Sequence, residues 1–178
     1  MRVFVSDIVV RTDKDGDDYW LVVGSLQSGM EIIVKDMYFD IRRYVGQRVD
    51  MLLSFLRSPY SELQRGIQSP YFLPFKYYSV ELIDELLEEK GVVSTGNKRV
   101  VVLSGEYIDS YALPAKWATL TQRDLFKMLY KEPSALKTGD GAFLLYPWHL
   151  KKKVPLEQIP REVTMVGTVN LEAWKPSR

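Results

Sequence analysis

Arg48-Val49-Asp50-Met51-Leu52-Leu53-Ser54-Phe55-Leu56 carries an apolar side chain at every odd position: Val49, Met51, Leu53 and Phe55. A period of two belongs to an extended strand with one face on a core, because successive side chains point to opposite sides of the backbone. Toward the N-terminus, Gly46 closes a single helical turn expected over Asp40-Ile41-Arg42-Arg43-Tyr44. Before it, residues 31–37 and 19–26 have strand character and are separated by Ser28-Gly29. The run Asp13-Lys14-Asp15-Gly16-Asp17-Asp18 supplies an Asp-Gly turn back to a Val- and Ile-rich strand over residues 2–10. Residues 1–57 are therefore expected to form an antiparallel β meander.

Toward the C-terminus, residues 58–78 place Pro59, Pro70 and Pro74 among Tyr60, Tyr71, Phe72, Phe75, Tyr77 and Tyr78. Disordered connectors are poor in aromatics, so this stretch is expected to pack as an irregular arm. Ser79 is placed to cap a helix over 80–90 that Gly91 closes, with Val80, Ile83, Leu86 and Leu87 on one face and acidic residues on the other. Residues 99–107 read as a strand. Thr121 and Asp124 open a second helix ending near Pro133, striped by Leu125, Phe126, Met128 and Leu129. After Gly139-Asp140-Gly141, residues 142–148 are apolar on both faces, and 163–173 alternate cleanly but for Val166. Seven strands and two short helices make a β-rich α+β protein. It is expected to be one compact unit over 1–178, with the meander at 1–57 and the aromatic arm, both helices and about three further strands at 58–178.

With 178 residues, 46% of them hydrophobic and 26% charged, the chain has the composition of an ordinary globular domain that needs no covalent staple. It has no Cys and a single His, His149, which excludes disulfides, thiolate chemistry, iron–sulfur clusters and multi-His metal sites. Any metal would need carboxylates, and no metal site or cofactor is expected. Residues 1–7 lack the apolar run of a secretory signal and no apolar run is long enough to span a bilayer, so a cytoplasmic location without membrane contact is expected. Charge is balanced, 24 Lys+Arg against 23 Asp+Glu. That lacks the basic excess of a duplex-coating protein. Residues 121–178 hold 10 basic against 6 acidic side chains, a net of +4, so a local basic surface is open to the last third.

The order of strands and helical turn over residues 2–56 resembles the opening of an OB-fold-like small β-barrel. The resemblance rests on the Val3/Val5 strand, Tyr19-Trp20, Gly24 and Gly46-Gln47-Arg48-Val49, and covers about a third of the chain. It departs from that pattern in a very short helical turn and in lacking a prompt fifth strand, which residues 99–107 supply only if the chain returns after a long excursion. The resemblance implies a face that stacks the bases of single-stranded nucleic acid on rings between cations. Trp20, Tyr19, Lys35, Tyr38, Arg42 and Arg43 are its candidates, weighed against burial of Trp20 and Tyr38 in the core. A second candidate surface is Tyr146-Pro147-Trp148-His149-Leu150-Lys151-Lys152-Lys153. There Tyr146 and Trp148 offer rings and Lys151, Lys152 and Lys153 offer phosphate contacts, against the alternative of lysines that keep a sheet edge soluble.

Other motifs carry less. Asp13 to Asp18 has the acidic spacing of a calcium loop, but Asp18 stands where Gly is needed and Gly24 where a bidentate Glu is needed. Gly91 to Lys98 has P-loop-like glycines, but Asn97 interrupts the motif and no helix follows it. Ser134-Ala135-Leu136-Lys137 has serine–lysine spacing with no companion motif, and Glu106 with Asp109 is a carboxylate pair of undetermined geometry. The expectation is a binding protein without catalytic chemistry, its ligand single-stranded DNA or RNA. A protein-interaction module built on the arm at 60–78 is the alternative, followed by an enzyme with a carboxylate site. Oligomeric state is left open.

Overall fold

The computed structural model describes residues 1–57, 63–64, 67–68, 91–95, 98–108, 110–117, 134–145 and 163–177. In chain order the strands are β1 (Arg2–Thr12), β2 (Asp18–Leu26), β3 (Glu31–Asp36), β4 (Arg48–Arg57), β5 (Leu63–Gln64), β6 (Ile67–Gln68), β7 (Gly91–Thr95), β8 (Lys98–Ile108), β9 (Ser134–Thr138), β10 (Gly141–Leu145) and β11 (Val163–Pro176). Two 3-10 turns, Arg42–Tyr44 and Ala115–Trp117, are the helical elements among the described residues. β5 and β6 pair only with each other; the other nine strands form one mixed sheet.

The alternation in Val49, Met51, Leu53 and Phe55 has its expected consequence: all four are fully buried. The strand carrying them pairs antiparallel with β11 from Val49↔Pro176 to Arg57↔Gly167. Two arms close on this pair. In the first, β1 pairs with the start of β4, β2 with β1, β3 with β2, and β3 runs parallel to β11 at Val34↔Val169, which makes a ring of five. In the second, β10 runs parallel to the end of β4, β9 pairs with β10, β8 with β9, and β8 with the start of β11. β7 extends that arm through β8.

Inward side chains of both arms meet in one apolar cluster. Val3, Val22, Ile32 and Val34 from the first arm join Val101, Leu103, Leu136 and Phe143 from the second around the β4 residues. The opposite face of the β4–β11 pair is covered too: Leu52, Leu144 and Ala173 pack with Trp117, which is 1% exposed. Burial on both faces explains why Met51 to Phe55 are all enclosed, Ser54 included. The Ser54 hydroxyl donates a 2.6 Å hydrogen bond to the Glu172 carboxylate, which stands out of the ladder where the register shifts between Leu171 and Ala173. A buried polar group keeps its place when such a bond replaces water.

The β-rich expectation holds, and the seven expected strands are present with shifted ends. Three details differ. The α+β class with two helices finds no support: the segments at 80–90 and 121–133 lie outside the described residues, and the helical elements described are single turns. Residues 91–95 and 134–138 are strands, each joined to the next strand by two residues. The strand that completes the first ring is β11 rather than residues 99–107, because β8 pairs with β11 at 163–167 and leaves Val169 and Asn170 to β3. The arm at 60–78 lies outside the described residues apart from the β5–β6 ladder.

Gly24 marks the tightest contact of the first ring. A Cβ built there would stand 2.5 Å from the Phe4 carbonyl oxygen and 2.8 Å from the Val3 side chain. The carbonyl belongs to the β1 backbone and cannot swing away as a side chain would. Gly24→Ala is therefore expected to destabilise the fold by about 2–3 kcal/mol, the range of an overpacked site. Thermal unfolding should show a midpoint lower by roughly 4–12 °C. An unchanged midpoint would mean that the β1–β2 spacing is wrong.

Candidate functional site

Two adjacent residues of β2 present rings to different sides. Trp20 pairs with Asp36, and Leu21 with Lys35, so Tyr19, Leu21 and Lys35 share the outer face of β2–β3 while Trp20 turns toward the end of the ring. The Lys35 ammonium stands 4.7 Å from the centre of the Tyr19 ring. That places a cation on an aromatic face, worth about 0.5–1 kcal/mol at an exposed site.

β3 ends at Asp36, whose buried carboxylate accepts the backbone N–H groups of Tyr38 (3.1 Å) and Phe39 (2.8 Å). This side chain satisfies donors that the strand no longer pairs, and so fixes the turn into the 3-10 element. The turn throws Tyr38 outward, 64% exposed, the most open large ring of the described residues. Tyr38 is thus a surface residue, and Trp20 is half-buried. The Trp20 indole nitrogen and the second Asp36 carboxylate oxygen, on register partners, are both buried without a hydrogen bond to the described protein groups.

Asp40 follows with φ 55°, a left-handed conformation that Asp tolerates better than most residues. Its carboxylate accepts two 2.7 Å hydrogen bonds from the Arg42 guanidinium, a fork-to-fork pair. The guanidinium so held lies 5.6 Å from the centre of the Trp20 ring. Arg42's side-chain hydrogen bonds hold the Asp40 carboxyl below its ordinary value, and the same bonds raise the Arg42 pKa. Arg43 does something different: it stands 5.2 Å from the Tyr44 ring and 5.8 Å from the Trp174 ring, and it has no ion pair among the described residues. Tyr44 and Trp174 meet edge-on at 4.9 Å.

Of the ten residues expected from sequence, the structure gathers Trp20, Lys35, Tyr38, Arg42 and Arg43 at one end of the five-stranded ring, with Tyr19 beside them. Tyr146, Trp148, Lys151, Lys152 and Lys153 lie outside the described residues, as does His149. Sequence reasoning missed Tyr44 and Trp174; the Trp174-Lys175 pair closing an alternating strand was the available signal. The acidic hairpin is a self-contained turn. Asp13 accepts the N–H groups of Asp15 and Asp17 at 2.9 Å each. Among the described residues no group of three or more His, Cys, Asp or Glu is placed to hold a metal ion, and no helix is long and apolar enough to cross a membrane. Glu106 stands opposite Lys137 on β9, and Asp109 lies outside the described residues. Ser134 is buried and Lys137 exposed, three residues apart on a strand, so the two do not share a face.

Comparison with known proteins finds no matching family model, no matching curated protein and no matching solved structure.

The Asp40–Arg42 pair sets a pH dependence. A carboxyl held below its ordinary value near 3.8 contributes stability that is present above that value and is lost as the pH falls through the lower native one. In a carboxyl-carbon NMR titration, Asp40 should titrate below 3.8, and Arg42→Gln should bring its midpoint back up to that value. A midpoint that ignores the substitution would show that the fork does not form.

Proposed function

We propose that this chain is a non-catalytic binding protein whose ligand is single-stranded nucleic acid. The observation that carries the reading is that, at one end of the ring, cations stand against four rings, Tyr19 on the outer face, the half-buried Trp20, and Tyr44 and Trp174 at the edge of the core, while a fifth ring, Tyr38, stands open to solvent. Bases of any sequence have π faces to stack, and mobile cations beside the rings neutralise the phosphates between them. The ring of five strands, with its helical turn between the third and fourth, supports an OB-type barrel. In such barrels the face of strands two and three binds oligonucleotides, and here that face carries Tyr19 and Lys35. The excursion of residues 58–162 then sits between the fourth and fifth barrel strands.

The acidic tip at Asp13, Asp15, Asp17 and Asp18 repels phosphate and lies next to Tyr19 along β2. A bound strand is therefore steered from Lys35 toward Arg43 and Trp174, away from the tip. Arg42 is already neutralised by Asp40, so Lys35 and Arg43 are the phosphate contacts, and affinity is modest.

Fluorescence anisotropy with labelled single-stranded oligonucleotides at low and moderate salt tests this. Binding should quench Trp emission, with a log–log salt slope of about −1.4, as two phosphate contacts give on a single strand. Tyr38→Ala should weaken binding by about 5- to 150-fold, the loss of one stacked base, and leave the thermal midpoint unchanged because the ring is exposed. Lys35→Gln should flatten the salt slope. Unchanged anisotropy at saturating protein in low salt would sink the reading.

A further inference from the structure

The outer face of the same ring carries a separate groove. Phe4 of β1 stands opposite Ser25 of β2 on one side and Arg48 of β4 on the other, so three side chains lie in a row across three strands. Arg2, two residues back on the same face, stands opposite Asp50. A concavity of about 940 Å³ lies over this row, lined by Arg2, Phe4, Ser25, Gln27, Gln47 and Arg48 among others. That volume lies within the range of small-molecule sites, roughly 300–1,000 Å³.

Three features mark the groove as more than a gap between loops. Phe4 is 39% exposed while its neighbours Val3 and Val5 are fully buried, so part of a large ring lies on the outer face over the concavity. Arg48 has no ion pair among the described residues, and Arg2 reaches Asp50 only at 3.9 Å, with Lys116 sharing that carboxylate at 3.4 Å. Positive charge is thus in excess. The floor is rigid: Val5 and the segment at Gly46-Gln47 exchange backbone hydrogen bonds of 2.7 and 2.9 Å, and the Ser177 N–H bonds the Arg48 carbonyl.

The chemistry selects a ligand class. Arg2 and Arg48 are diagonal neighbours on paired strands, about 7–8 Å apart at Cα, close enough for two guanidinium forks to meet on one phosphate. The half-open phenyl ring of Phe4, at the corner beside both arginines and diagonally across from Asp50, offers a face to a planar group, and the Gln27 amide with the Gln47 carbonyl oxygen can serve the edge of a base, the Gln47 N–H donating to the Arg43 carbonyl. We propose that this groove binds a nucleoside 5′-monophosphate unit, with its base on Phe4 and its phosphate between Arg2 and Arg48. The unit comes either as a free nucleotide or as the phosphorylated end of a strand. Ser25 is six residues from Tyr19 along β2, about 20 Å, but the groove's other wall adjoins the ring-end surface where the Gln47 amide donates to the Arg43 carbonyl at 3.4 Å, so Tyr38→Ala is the variant that tells the two sites apart.

Amide NMR titrations of the full chain with uridine 5′-monophosphate, uridine, inorganic phosphate and a 5′-phosphorylated dinucleotide test it. Shifts should centre on Phe4, Gln47 and Arg48, with the nucleotide or the dinucleotide binding at least tenfold tighter than uridine or phosphate; the tighter of the two identifies the source. Arg48→Gln should weaken that ligand tenfold or more at an unchanged thermal midpoint, Phe4→Leu should reduce it toward the affinity of phosphate, and Tyr38→Ala should leave it unaltered. The proposal is overturned by absent shifts, by a nucleotide no tighter than phosphate, by an indifferent Arg48→Gln, or by a Tyr38→Ala loss matching that of Arg48→Gln.

Discussion

The antiparallel ladder between β4 and β11 is the constraint on which the rest depends. Both strands are paired along both edges: β4 bonds β11 on one side and β1 then β10 on the other, while β11 bonds β4 on one side and β8 then β3 on the other. Two strands paired on both edges in this way make both arms curl back, since each arm ends on the other edge of the same pair. The inward residues of both arms then converge on Val49, Met51, Leu53 and Phe55, whose burial is worth about 1.5–3 kcal/mol for each large side chain.

The same ladder separates what the sequence discloses from what it conceals. Alternation in residues 48–56 and 163–173 announces two strands with buried faces, because period two is a local property. It carries no information about which strand pairs with which. The closure of the first ring by β11 depends on a return across residues 58–162, and a long-range pairing of this kind leaves no mark on either partner's pattern. Gly24 is different. Its near contact with the Phe4 carbonyl is a property of the hairpin, and a glycine inside a strand signals close backbone approach.

Residues 91–95 and 134–138 show a subtler failure, in which a functional motif masks a structural one. The glycines from Gly91 to Gly96 suggest phosphate binding, and Ser134 with Lys137 suggests an acyl enzyme. In each case the next strand starts after two residues, Gly96-Asn97 or Gly139-Asp140, the composition that closes two-residue hairpins. Thr95↔Lys98 and Thr138↔Gly141 are the resulting closing pairs. Turn chemistry explains these residues with less machinery than catalysis does.

At the ring end, residue types were legible but their roles were not. Lys35 and Tyr19 meet because one-step alternation on two paired strands puts both outside, which pairing alone reveals. Arg42 reads in sequence as a phosphate contact equal to Arg43, yet two residues earlier stands Asp40, held at φ 55° so that its carboxylate meets the guanidinium fork. A guanidinium with two of its donors on the Asp40 carboxylate is a poorer phosphate ligand, and this one lies 5.6 Å from the centre of the Trp20 ring. Among the described residues Arg43 and Lys35 rest against ring faces without an ion pair, a contact of about 0.5–1 kcal/mol; on the proposed reading a base stacking at about 1–3 kcal/mol displaces it. On that proposal a displaced cation loses little, because the phosphate that arrives with the base would be its next partner. Two adjacent arginines of equal charge thus differ in what holds them, one a carboxylate and the other ring faces, and the difference follows from the carboxylate at position 40.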